Sequence, residues 1–167
     1  MDGDLYMPAA TRLARRASPI GETAIVPFIL DALRELTFPP TRSVAFRDLG
    51  FDPDETGRYQ ELVDAHASEY CRQPARTADV HRFLGHPDAL QGDMTRRIEY
   101  AAHAADLDLP QPALETAARR WRLLFQVGSD FTQDLNWGDN GRLYFWIRDV
   151  DLAAARFGET MLQLQSH

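Results

Sequence analysis

Five residues with imidazole, carboxylate or amide side chains fall within thirteen positions in "HRFLGHPDALQGDM", His81 to Met94: His81, His86, Asp88, Gln91 and Asp93. Imidazole and carboxylate at this density could bind a divalent cation or move protons between a substrate and water. The same stretch also has a plain structural reading. Aspartate after proline favours a turn, and Asp93 stands where a helix cap would. No HExxH or paired CxxC spacing accompanies the two histidines. A second group is Trp137, Asp139 and Arg142, in which an aromatic ring beside an acid and a guanidinium could grip a polar ligand or a partner's side chain. Alternatively, the Trp137 ring pins the long loop that carries it, and Asp139 bonds the turn backbone. If the ring is buried, Trp137→Ala should cost about 3–5 kcal/mol, as large aromatic truncations do.

Other chemistries lack residues. Ser18 and Ser129-Asp130 are not in a G-x-S-x-G setting, so a nucleophile elbow finds no support. Gly138 and Gly141 precede a strand rather than a helix, so no phosphate-cradling loop is present. Lysine is absent and all 18 basic side chains other than histidine are arginine. Schiff-base chemistry and a P-loop lysine are thereby excluded. The one cysteine, Cys71, cannot close an internal disulfide, which fits a reducing compartment and a cytoplasmic setting. Nothing specifies a cofactor. With a net charge of −7, nucleic acid and anionic membrane surfaces are poor partners, and no apolar run reaches spanning length.

The elements that must position these residues converge on the last third of the chain. Trp121–Val127 and Leu143–Arg148 read as strands with apolar groups on both sides, as expected of strands covered twice in mid-sheet. In the first, Trp121, Leu123, Phe125 and Val127 should share one side. Thr160–Gln165 reads as a last strand, and the connection Asp149–Glu159 is long enough for a crossover, giving a parallel pair. Within that connection Asp149 or Asp151 caps a short helix that Gly158 ends. Asp139-Asn140-Gly141 supplies a tight turn into the second strand.

Upstream, Asp52-Pro53-Asp54-Glu55 is a helix start with a capping box, and Tyr59, Leu62, Val63 and His66 follow the i, i+3, i+4, i+7 spacing to about residue 70. Asp93 begins another helix, to about residue 105. Ala24–Leu36 fits a helical stripe, Ser43–Phe46 a short edge strand, and Gln73–Asp79 a loop. Residues 1–22 are weakly patterned. The expectation is one 167-residue α+β domain: a mixed sheet with strands near 121–127, 143–148 and 160–165, packed with helices near 53–70 and 93–105.

Taken in order, "HRFLGHPDALQGDM", "WRLLFQVGSD", "WGDNGRLYFWIRDVDL" and the closing "LQLQ" resemble the YwqG-like family of bacterial proteins, a domain of unknown function. His81, Gly85, Pro87, Asp88, Gln91, Gly92, Asp93 and Met94 fall on its first motif. Trp121, Leu123, Leu124, Gln126, Ser129 and Asp130 fall on the second. Trp137, Gly138, Asp139, Gly141, Leu143, Tyr144, Phe145, Trp146 and Ile147 fall on the third. The chain resembles the C-terminal half to two-thirds of a member, without the family's preceding strand-rich portion. The resemblance implies an α+β fold and no established activity or catalytic set. If the preceding portion normally covers the sheet, its absence leaves an apolar face or strand edge open, so self-association or a protein partner is expected.

The leading functional expectation is therefore a non-enzymatic cytoplasmic binding module, with Trp137, Asp139, Arg142, His86, Asp88, Gln91 and Asp93 as its binding residues. The competing expectation is a metal-assisted hydrolase using the His81–Asp93 loop, so the sequence leans away from an enzyme without deciding the matter.

Overall fold

The computed structural model describes residues 34–71, 81–103 and 110–167. The chain divides into Met1–Asp31 and Ala32–His167, and every described element belongs to the second unit. The weakly patterned residues 1–22, most of the Ala24–Leu36 helix and the Gln73–Asp79 loop lie outside the described residues.

Four strands make one sheet in the order β1-β2-β3-β4: β1 Arg82–Phe83, β2 Trp121–Gly128, β3 Arg142–Arg148 and β4 Met161–Gln165. The two tryptophan-rich strands β2 and β3 lie side by side at its centre, as their apolar weight requires. All three pairings are antiparallel, so the expected parallel pairing of the last two strands, and with it a mixed sheet, is corrected. The reason is local: α5 (Asp149–Ala153) and a 3-10 turn at Phe157–Glu159 turn the chain back at the end where β3 finishes, and no crossover is made. Ala155, at φ 52°, takes the left-handed position after α5 that was expected of Gly158.

A bulge alters the side-chain pattern of β2. Leu123 pairs with Trp146 but Phe125 pairs with Phe145, so Leu124 is an extra residue. Successive side chains alternate across a sheet, and one inserted residue exchanges the faces beyond it. Trp121 and Leu123 therefore face one side with Gln126, Tyr144 and Trp146, whereas Phe125 and Val127 face the other with Leu143 and Phe145. The expected shared side for Trp121, Leu123, Phe125 and Val127 does not form.

The first face holds the core. Trp121, Leu123, Tyr144 and Trp146 pack with Met94 and Ile98 of the chain entering and forming α3 (Thr95–Ala102). The buried acid Glu99 on α3, 3% exposed, accepts the Trp121 indole N–H at 2.7 Å and meets Arg148 at 3.3 Å and His103 at 3.0 Å. The Arg148 guanidinium also lies over the Trp121 ring, 5.1 Å from its centroid.

On the second face Phe125, Val127, Leu143 and Phe145 of the two central strands are half-buried, and exposure is concentrated on the flanking strands. Ile147 is buried there, but Phe83, Leu162 and Leu164 are 69%, 57% and 50% exposed.

Ser43–Phe46 is not an edge strand. Ser43 accepts the Phe46 N–H and caps α1, Val44–Arg47. Pro39-Pro40 and the serine cap together favour a turn into helix over extension. Helix α2, Pro53–Cys71, begins as the sequence predicts: Glu55 N–H donates to Asp52 at 2.8 Å and Asp52 N–H to Glu55 at 2.9 Å. Its Tyr59 ring contacts Phe38, Phe46 and Phe51, and its hydroxyl donates to the Pro39 carbonyl at 2.7 Å. Helix α4, Gln111–Ala118, leads into β2 and buries Leu114 and Ala118. No helix among the described residues is long and apolar enough to cross a membrane.

Candidate functional site

The His81–Met94 segment lies across the core face of the sheet and is fastened there by side chains from all four strands. At its entry Leu84, at φ 62°, and Gly85, at φ 74°, reverse the chain. A Cβ on Gly85 would meet Thr37 Oγ1 at 2.5 Å, so glycine is required there for both conformation and room. Arg82 on β1 donates to the His86 carbonyl at 2.9 Å and pairs with Asp88 and Glu35, each at 2.8 Å. Gln126 on β2 accepts the Asp88 N–H at 2.9 Å and donates to its carboxylate at 3.3 Å. Arg142 and Tyr144 on β3 both donate to the Asp88 carbonyl, at 2.8 and 2.7 Å. Gln165 on β4 accepts the N–H groups of Leu90 and Gln91 and returns a hydrogen bond to Gly92. The polar density of this stretch thus satisfies an irregular backbone held against an apolar sheet, where unpaired groups would be costly.

The expected binding residues consequently part company. Asp88 and Arg142 fasten the loop, and Gln91 donates to the Ser166 carbonyl. Asp93 joins two helix starts: one carboxylate oxygen accepts Val44 N–H of α1 at 2.8 Å, and the other accepts both Thr95 N–H and its hydroxyl, at 2.8 and 2.7 Å. His81 instead approaches Asp130, at 3.9 Å. No group of three or more His, Cys, Asp or Glu side chains converges to hold a metal among the described residues. The histidine and carboxylate spacing of the motif is spent on different partners.

Trp137, Asp139 and Arg142 are likewise dispersed. Trp137 is half-buried, and its indole N–H donates to the Gly128 carbonyl at 3.0 Å while its backbone N–H donates to the Ser129 hydroxyl. It anchors its loop, as the structural reading anticipates, together with Leu135, which is 4% exposed. Asp139 is exposed, and its carbonyl accepts the His167 N–H.

The loop roofs a cavity of about 370 Å³. Its inner wall is formed by Met94, Trp121, Leu123 and Trp146. Its rim carries Ser43, His86, Asp93, Arg119 and Arg122. Of the expected binding residues, His86 and Asp93 reach it. Burial, reinforced by Arg122 and Arg82, holds the His86 imidazole below its ordinary pKa, so it stays neutral at physiological pH. Arg119 is occupied by Asp48 in a bidentate pair, with a shortest distance of 2.6 Å. Sequence reasoning missed Trp121, Trp146 and Leu123 as cavity residues, because their strand pattern signals core and nothing in it distinguishes a filled core from one with a gap. It also missed the anchoring amides of Gln126 and Gln165. An isolated glutamine in an apolar strand was the available signal.

These features define an α+β domain: a four-stranded antiparallel sheet, helices and a pinned loop on one face, and a cavity between them. Residues 25–166 match the family described as Domain of unknown function (DUF1963), and the chain belongs to that family. Comparison with curated proteins gives no match.

Proposed function

We propose that this chain is a non-enzymatic protein-interaction module whose docking surface is the second face of its sheet, and that a second copy of the chain occupies it. The observation that carries the reading is the exposure of Phe83, Leu162 and Leu164 on one continuous apolar face with Phe125 and Phe145. Three strands of about five residues and the two-residue β1, at about 4.8 Å spacing and about 3.3 Å rise, give a footprint of roughly 270 Å². An apolar face of that size matches the largest patch of a typical monomer, which is often functional.

The edge beside this face supports a second copy as the occupant. Strand β4, "MLQLQ", contains no charge and no proline, and it has no outer neighbour among the described strands. Such an edge lacks the usual protections against pairing. Antiparallel pairing of β4 with β4 about a two-fold axis would extend the sheet and join two apolar faces, an isologous contact. The net charge of −7 opposes this approach, so added salt should favour it.

Light scattering on the purified chain tests the reading. The expected result is a dimer whose population rises with ionic strength, and a monomeric Leu162→Arg variant with unchanged far-ultraviolet circular dichroism. A wild-type monomer at every soluble concentration and salt would refute the second copy as occupant. Within this reading, His86 and Asp93 serve the cavity and Trp137, Asp88, Gln91 and Arg142 serve the scaffold. The motifs from His81 to Gln165 support kinship with YwqG-like proteins. The lone Cys71 supports a cytoplasmic setting, where thiols stay reduced.

A further inference from the structure

A second cleft, of about 350 Å³, lies beside the pinned loop. One wall is Phe38, Pro39, Tyr59 and Val63, from the segment before α1 and from α2, and the other is Pro87–Ala89 of the loop. Arg142 reaches the cleft from the sheet. It starts β3 and shares the core face with Tyr144 two positions on, because alternate residues of a strand point the same way. The walls stand over that face, so Arg142 enters by its side chain. Its Nη1 donates to the carbonyl of Asp88, a wall residue, at 2.8 Å.

The charges around the cleft do not cancel. Asp88 and Arg142 are the charged residues that line it. The Asp88 carboxylate is taken by Arg82 at 2.8 Å and by the Gln126 amide at 3.3 Å. Arg142, half-buried, spends Nη1 on a neutral carbonyl and has no carboxylate within ion-pair distance among the described residues. Its Nε and Nη2 donate to no carbonyl or carboxylate there and are not sealed from solvent. These two nitrogens form one edge of the guanidinium. By that same edge Arg119 holds Asp48, with Nε at 2.8 Å and Nη2 at 2.6 Å. A charge partly withdrawn from water without a counter-ion is stabilised by an anion that meets it.

We propose that this cleft is a carboxylate-binding site: the free edge of Arg142 pairs with the two carboxylate oxygens, and Phe38, Tyr59 and Val63 cover the apolar group beside them. Guanidinium and carboxylate match as a two-pronged pair. Arg142 keeps its part in fastening the loop, which uses only Nη1. A free organic acid and the C-terminus of a peptide present the same group. A volume of about 350 Å³, at the small end for ligand sites, admits a small acid or a single terminal residue. The cleft lies on the core side of the sheet, away from the face proposed for self-association, so it stands or falls independently of the oligomeric state.

The test is a calorimetric titration of the full chain. Benzoate, phenylacetate and a glycyl-glycyl-phenylalanine tripeptide are the probes, with phenylacetamide and the C-terminally amidated tripeptide as uncharged controls. At least one carboxylate should bind, and its amide should not. Binding of a free acid identifies one source of the group, and binding of the tripeptide alone identifies a chain terminus. Gln60, an exposed residue of α2 that lines the cleft, carries the charge test. Gln60→Lys should tighten the carboxylate about threefold and Gln60→Glu should weaken it by a similar factor, the scale of an exposed charge pair. Arg142→Lys keeps the charge but loses the two-pronged edge, and should weaken binding about tenfold. No binding of any of the three carboxylates in the millimolar range overturns the proposal. So does an amide that binds as tightly as its acid, or a carboxylate whose affinity ignores both charges placed at Gln60. Should Arg142→Lys fail to fold, the two Gln60 variants decide alone.

Discussion

Trp121 donates its indole N–H to Glu99 at 2.7 Å, joining the first residue of the central strand β2 to the middle of helix α3. Glu99 also meets Arg148 and His103, so a single buried carboxylate gathers three donors from three elements. Removing it leaves an indole N–H and a guanidinium without their acceptor, and a lost partner in a buried pair costs more than the pair contributes. Glu99→Ala should destabilise the fold by about 3 kcal/mol, discounted from the upper range because Arg148 reaches solvent. Trp121→Phe should cost about 1–2 kcal/mol. Denaturant unfolding measures both, and a Glu99→Ala cost below that of Trp121→Phe would contradict the network.

Gln165 should behave as a clasp. Its carbonyl oxygen accepts both Leu90 and Gln91 N–H groups, at 2.9 and 3.0 Å. Gln165→Ala strands two backbone donors, at a cost of about 2 kcal/mol. The amides of Leu90 and Gln91 should then exchange faster with deuterium while those of β2 and β3 keep their protection. Uniform loss of protection across the sheet would show that the residue supports the whole core instead.

Gly141 sits where backbone crowds in. A Cβ there would meet the Trp137 carbonyl oxygen and, at 2.7 Å, the Gln165 carbonyl oxygen. Neither is a flexible side-chain end, so Gly141→Ala must displace the loop or the last strand. We expect a cost of about 2–3 kcal/mol, in the overpacking range. Trp137→Ala, which removes a half-buried ring and one hydrogen bond, should cost about 2 kcal/mol, less than the full-burial figure. Equal wild-type melting temperatures for both variants would remove this loop from the account of stability.

His86 predicts a pH dependence. Burial first, then the Arg122 and Arg82 charges, hold its pKa below the ordinary 6.5. The unfolded chain therefore binds more protons than the folded one as pH falls below about 6.5, and linkage makes stability fall with it. The contribution is fully present above the unfolded value and is lost toward the folded one. His86→Asn should flatten the stability profile below about pH 6.5, while retaining the His86 backbone contacts. An unchanged slope would show that the imidazole is not the group responsible. Asp48 and Asp130, held low by hydrogen bonds from Arg119 and Thr132, act in the more acidic range and leave this window clear.

Much of the scaffold was legible in the residues themselves. The capping box of Asp52 and Glu55, the start of α2 and the three long strands follow from local chemistry: a side chain that reaches its own backbone, proline at a first helical turn, and apolar runs of strand length. The loop anchor Trp137 was legible too, since a connection of that length needs something to hold it. Ser43–Phe46 misled because a short apolar pair suits a strand or one helical turn equally, and the serine cap settles it in favour of the helix.

The face on which each side chain lies was decided only in three dimensions. One bulge at Leu124 sends Phe125 and Val127 to the second face and brings Gln126 under the loop, and no periodicity in "WRLLFQVG" announces it. Strand identity depends on neighbours in sequence, whereas register depends on the partner strand. For that reason the amino-acid order determined which strands exist. Tertiary pairing determined that Asp88 and Asp93 brace a loop, that Phe83, Leu162 and Leu164 stay exposed on the other side of the sheet, and that Trp146 lines a cavity.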